Sequence, residues 1–110
     1  MTLITLREAK EYLRMDTADE DSLIEGLLSA AGNLCADVAR LSPEQWSDID
    51  SKKCRTLRYS ESELRALRET LRVAILYALG YLFEHREEAD HHDLTLTLRS
   101  LLFSIREGVV

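Results

Sequence analysis

Between Glu84 and Asp93 the chain crowds His85, His91 and His92 together with Glu84, Glu87, Glu88, Asp90 and Asp93. These are side chains that ligate zinc or iron, and such sites need donors converging from fixed positions on a frame. Here all the histidines fall in one polar stretch, and His91 and His92 are adjacent, so they diverge on any regular element. No second cluster completes a shell, and the stretch reads as a solvated turn between helices. Cys54 stands among Lys52, Lys53 and Arg55, neighbours that favour a thiolate. No histidine adjoins it to act as a base, so it reads as a loop thiol, while Cys35 falls on an apolar helical stripe and reads as core. There is no glycine-rich phosphate loop, nucleophile elbow or pair of acids on a recognisable frame. The expectation is a protein that is not an enzyme, with no catalytic residues, no metal and no cofactor.

Charge gives the sharper candidate. Residues 1–50 carry 4 basic and 11 acidic groups, residues 51–72 carry 7 and 3, and residues 73–110 carry 3 and 6, for a formal net charge of −6. An acidic total argues against a dedicated DNA-binding domain, whose affinity rests on neutralising phosphates. The basic middle, Lys52, Lys53, Arg55 and Arg58 followed by Arg65, Arg68 and Arg72, is a candidate contact for phosphate or for an acidic neighbouring subunit. Arg65, Arg68 and Arg72 are spaced to line one side of a helix, where Glu61 and Glu69 are placed to pair with them. Aromatics do not interleave with these residues as a single-strand binder would require. Unequal acidic and basic zones also suit self-association.

The elements that position these groups are helical. Thr5 three residues before Glu8 forms a capping box opening a first helix, with Leu6, Ala9 and Leu13 on one face and Tyr12 beside them. Thr17 and Glu20 suggest a second box. It is followed by Leu23, Ile24, Leu27, Leu28, Ala31, Leu34, Cys35 and Val38 at the 3.6-residue period, with Ser22, Glu25, Ser29, Asn33, Asp37 and Arg40 opposite. From Leu41 to Tyr59 the period fails. Apart from a turn of helix at Ser42-Pro43-Glu44-Gln45, this reads as a connection of about 18 residues, long enough to be functional or disordered. Ser60 and Glu63 open a third helix, with Tyr59 and Leu64 placed as a staple, running to about Arg86, roughly 39 Å. From Val73 to Phe83 no side chain is charged, so this part should be covered on all sides. Eleven residues are too few to cross a bilayer, which needs about 20. Leu94, Leu96 and Leu98 alternate like a strand, but Leu98, Leu101, Leu102 and Ile105 return to helical spacing, giving a last helix from about 96 to 106.

The 110 residues fit one domain, and 45% hydrophobic with 31% charged residues is ordinary globular composition. Arg7, Glu8 and Lys10 follow Met1–Ile4 at once, leaving no signal-peptide core. Two cysteines without a secretion signal read as reduced thiols in cytoplasm. The fold class expected is all-α: a small antiparallel bundle of about four helices with a long loop, about 41–59, between the second and third.

The order of these features resembles the small head–tail connector (adaptor, head-completion) proteins of tailed bacteriophages and prophages. The stretch from Thr2 to Asp16, ending Leu13-Arg14-Met15-Asp16, is similar to the family's N-terminal signature, and Asp21-Ser22-Leu23-Ile24-Glu25 continues it. The long apolar helix ending Phe83-Glu84-His85-Arg86-Glu87 resembles the second signature, and Ser100-Leu101-Leu102 with Arg106 the third. The chain departs from the family at Ala39-Arg40-Leu41-Ser42, where members often carry an aromatic-Thr-Gly-Arg-like turn. It departs again at Phe103-Ser104-Ile105, where many have a proline before the last arginine.

The resemblance implies a structural protein of the virion neck, found in the host cytoplasm during assembly. It implies a homo-oligomeric ring of about a dozen copies under the portal protein, heterologous contacts closing into a ring. Such a ring extends the DNA channel, meets packaged DNA in passing, and presents a surface to the tail-side neck protein; no membrane is involved. Portal contacts are expected on a C-terminal docking segment, about 94–110, through Arg99, Leu102, Phe103, Arg106, Val109 and Val110. Channel or subunit contacts are expected on Lys52, Lys53, Arg55 and Arg58. The rival reading is a cytoplasmic helical regulatory or nucleic-acid-associated module using the basic zone.

Overall fold

In the computed structural model, which describes residues 3–50, 60–85 and 91–106, every regular element is helical. Thr5 accepts from the Glu8 amide and Glu8 reaches back to the Thr5 backbone, so the expected capping box opens α1 (Leu6–Leu13). Helix α2 spans Asp21–Val38. It starts at Asp21 behind Glu20, which makes no side-chain cap, so the box expected at Thr17 and Glu20 does not form. The polar face from Ser22 to Arg40 is exposed as its spacing predicts, while Ile24, Leu28, Ala31, Cys35 and Val38 turn inward.

Both helices stop on an arginine in the left-handed region, Arg14 at φ 59° and Arg40 at φ 58°. The hydrogen bonds are those of the Schellman motif. Arg14 N–H donates to Glu11 O and Met15 N–H to Lys10 O; Arg40 N–H donates to Asp37 O and Leu41 N–H to Ala36 O. In each case four unsatisfied carbonyls are reduced to two.

Helix α3 (Pro43–Asp50) occupies ground expected to be loop. Ser42 and Gln45 exchange side-chain-to-amide bonds of 3.1 and 2.9 Å, a capping box, and Pro43 sits at the first helical position. The missing periodicity has a simple cause: over eight residues α3 buries only Ile49 fully, with Trp46 half-buried beside it. Helix α4 (Glu61–Glu84) begins at Ser60, whose hydroxyl accepts from the Glu63 amide, and it ends two residues before the expected Arg86. Tyr59, the other half of the expected staple, lies outside the described residues.

Helix α5 (His92–Leu101) begins four residues earlier than its spacing suggests, and a single turn, α6 (Phe103–Arg106), follows the break at Leu102. The strand-like alternation at Leu94–Leu98 is helical. Thr95 and Thr97 turn their hydroxyls back to the carbonyls of His91 and Asp93, so the threonines satisfy themselves within the helix.

One apolar core joins all six elements, with α2 against α4 as its largest contact. Leu67, Leu71, Ala74, Ile75, Ala78 and Leu79 of α4 are buried at 1% exposure or less. The segment Val73–Phe83 is nevertheless not covered all round: Val73 is 61% exposed and Tyr77 41%. Helices α1, α2 and α5 surround only part of its circumference, leaving one line of apolar side chains outward. Among the described residues no helix is long and apolar enough to cross a membrane.

Candidate interaction surface

Two arginines of the basic middle do not face outward to a partner. Arg72 donates to the Leu3 carbonyl at 2.6 Å and pairs with the Glu8 carboxylate. Arg68 donates to the Ile49 carbonyl and, at 3.3 Å, to that of Asp50. Asp50 in turn accepts the Leu3 amide at 2.7 Å. The result is a polar clasp: α4 holds the last carbonyls of α3 and the residues entering α1, while Leu3 and Ile4 plug the core beneath it. Arg68 at the end of α3 also meets the negative pole of that helix. The hydrogen bond from Arg72 holds the Glu8 carboxyl below its ordinary range, with the Thr5 amide assisting and partial burial opposing. Of the arginines expected to line one side of this helix, Arg65 alone is exposed.

The expected portal-facing set divides in the same way. Arg99 and Phe103 are exposed, Phe103 at 56%. Leu102 is 0% exposed and belongs to the core. It continues the inward line of Leu94 and Leu98 at intervals of four, a spacing that marks it as core and that the apolar excess of the C-terminus obscured. Of the Arg106 side chain nothing is described, and Val109 and Val110 lie outside the described residues. So do Lys52, Lys53, Arg55 and Arg58, and Cys54 with them.

The histidine-rich stretch forms an aromatic contact. Tyr81 stacks on His85 at 4.1 Å between ring centroids, and the His91 ring stands edge-on to Tyr81 at 6.0 Å. His92 is exposed at the first position of α5. Cys35 is fully buried, and burial pushes its thiol up to about 12.

The spacing of single elements did not reveal the outer surface of α4. Val73 and Tyr77 are joined there by Tyr12 of α1, 49% exposed, and a groove of about 580 Å³ runs between Tyr12, Tyr77, Gly80, Arg14 and Glu84. Gly80 lets the approach be this close, since a Cβ there would lie 3.2 Å from Tyr12 Cε2 and the ring would have to move out by a few tenths of an ångström. Without that Cβ the Tyr12 ring can lie against the α4 backbone. Comparison with protein-family models, with curated proteins and with solved structures finds no match to this chain.

Proposed function

We propose that this chain is a structural component of the neck of a tailed bacteriophage or prophage. In this reading it is an antiparallel bundle of about four principal helices that assembles as a ring of about a dozen copies beneath the portal. The ring extends the DNA channel and joins head to tail, with no catalytic step. The observation that carries the reading is where the three resembling motifs fall. Leu13-Arg14-Met15-Asp16 is the left-handed stop of α1, Phe83-Glu84-His85 is the end of α4, and Ser100-Leu101-Leu102 is the break between α5 and α6. Residues at helix ends set the path of the chain, so a shared series of such residues in one order supports a shared fold more strongly than shared helix-forming composition does.

The long connection of this reading carries α3 at its start. The portal-facing surface is assigned to Arg99 and Phe103 with Leu96, which is 47% exposed on the same helix as Arg99. For the rival nucleic-acid reading, Arg68 and Arg72 are spent on internal carbonyls and on Glu8, so that reading would draw on Arg65 and on Lys52, Lys53, Arg55 and Arg58.

The test is recruitment by a portal ring, followed by co-sedimentation and electron microscopy. The wild-type chain is expected to add a ring of density below the portal. A double variant, Arg99→Glu with Phe103→Ser, should abolish recruitment while leaving the melting temperature within about 2 °C, since surface changes are small. Recruitment unaffected by the double variant would remove this surface from the reading. A wild-type chain that ignores the portal but binds DNA in a salt-sensitive way would favour the rival.

A further inference from the structure

The outer face of α4 is one continuous stripe. Ala66, Glu69, Val73, Tyr77, Gly80 and Glu84 recur at intervals of three and four and so share one side of the helix. The first part of the stripe is polar and the second apolar, and Tyr12 widens it at Gly80. Tyrosines beside an aliphatic residue and a glycine, rimmed by charge, have the composition of the centre of a protein interface rather than of ordinary surface. The charges on the rim are Arg65, Glu69, Glu84 and Arg14, all exposed and none in an ion pair among the described residues.

We propose that a second copy of this chain docks on this stripe, with the two α4 helices antiparallel about a two-fold axis between Val73 and Tyr77. In an antiparallel pair, residues facing each other have numbers that add to a constant. An axis between Val73 and Tyr77 places Val73 opposite Tyr77 of the other copy, Glu69 opposite Gly80, and Ala66 opposite Glu84, with Arg65 flanking the stripe at the level of that Glu84 (numbers adding to 149 or 150). Each pairing occurs twice. Arg65 thus meets an acid on both flanks, and Glu69 arrives at the level of Gly80, where the other copy presents Arg14 beside Tyr12. The apolar residues meet at the centre and opposite charges meet at both ends. A parallel arrangement would set Glu69 and Glu84 each against its own copy, which repels.

The stripe from Ala66 to Glu84 is about 27 Å long and one helix wide. That is the small end of specific interfaces, so the pair is a weak one, formed and lost with concentration. It does not rest on the connector reading. A two-fold contact is closed at two copies, whereas a ring needs a heterologous contact between different faces.

Sedimentation velocity of the full chain from roughly 5 to 500 µM tests the proposal, a range that spans weak association. A monomer–dimer transition is expected in that range. Val73→Arg, at a position already 61% exposed, should move its midpoint upward by at least about tenfold with an unchanged helical spectrum and melt. Arg65→Glu alone should weaken the pair, and Arg65→Glu combined with Glu84→Arg should restore it, because only the register above joins those positions. A chain that is monomeric at the highest concentration overturns the proposal. So does a dimer indifferent to Val73→Arg, or one that the double charge exchange fails to restore. A species of about a dozen copies that Val73→Arg leaves unchanged overturns the pair while supporting the ring. A two-copy limit together with no response to a portal does the reverse.

Discussion

At the scale of single residues, buried and half-buried ionisable groups do opposite things to stability. Glu8 is held in its charged form by Arg72, so its folded pKa lies below the ordinary 4.5. The contribution of Glu8 is therefore complete above the unfolded value and is lost as pH falls through the folded one. Urea unfolding should show stability falling as pH drops below the ordinary 4.5, and Glu8→Gln should flatten that part of the profile. Arg72→Met should cost about 1–2 kcal/mol at pH 7, a half-exposed charge-assisted bond plus one to a carbonyl; a neutral result would mean water replaces both. Cys35 behaves the other way. With its thiol pushed up to about 12, it keeps its proton where the unfolded chain has lost it, so its contribution is full below about 9 and declines as pH rises towards 12. In the native chain at pH 8 Cys35 should resist a thiol reagent that labels it at once in denaturant, with mass spectrometry assigning the site. Rapid native labelling would mean that α2 opens. The core role of Cys35 was legible in its spacing on α2. The Glu8–Arg72 pair was not, because 64 residues separate its members and each has a nearer plausible partner in its own helix.

At the scale of elements, caps with a side-chain signature were legible and stops without one were not. Thr5 with Glu8 and Ser60 with Glu63 mark true helix starts. The ends of α1 and α2 fall on Arg14 and Arg40, where a glycine would have announced the left-handed turn. Helix α3 was legible only at its opening Ser42-Pro43, because a short helix burying one residue fully leaves no period to read. A non-glycine residue in the left-handed region carries about 1 kcal/mol of strain, partly offset in a glycine by its greater freedom when unfolded. Arg40→Gly should therefore stabilise the chain by up to about 1 kcal/mol, and Arg40→Ile should destabilise it by about 1 kcal/mol or more. Both are read from denaturation midpoints at constant slope. A destabilised Arg40→Gly would show that the arginine side chain contributes more than its backbone costs. Leu102→Ala belongs to this scale too. As the buried hinge between α5 and α6 it should lose about 2–4 kcal/mol, unlike its exposed neighbour Phe103, whose truncation should be nearly neutral for folding.

At the scale of the whole molecule, the sequence spoke for each helix and was silent on what ties them. An all-helical fold follows from composition and caps, but the clasp at Leu3, Asp50, Arg68 and Arg72 joins positions 18 to 69 residues apart. No local pattern carries that information. The clasp also divides the molecule energetically. Helices α2 and α4 share the deepest burial, whereas α3 contributes Ile49 and half of Trp46, and is held at its end by Arg68. An element with few buried contacts and a polar tether is one that opens below the global unfolding free energy. Arg68→Met should therefore speed native-state hydrogen exchange of amides in α3, and of Leu3 through the loosened Asp50, while leaving those of Leu71–Leu79 protected to the global limit. That pattern would make α3 a separately opening unit, distinct from the α2–α4 core. Equal acceleration in α3 and α4 would mean the opposite: the clasp would then be part of the cooperative core.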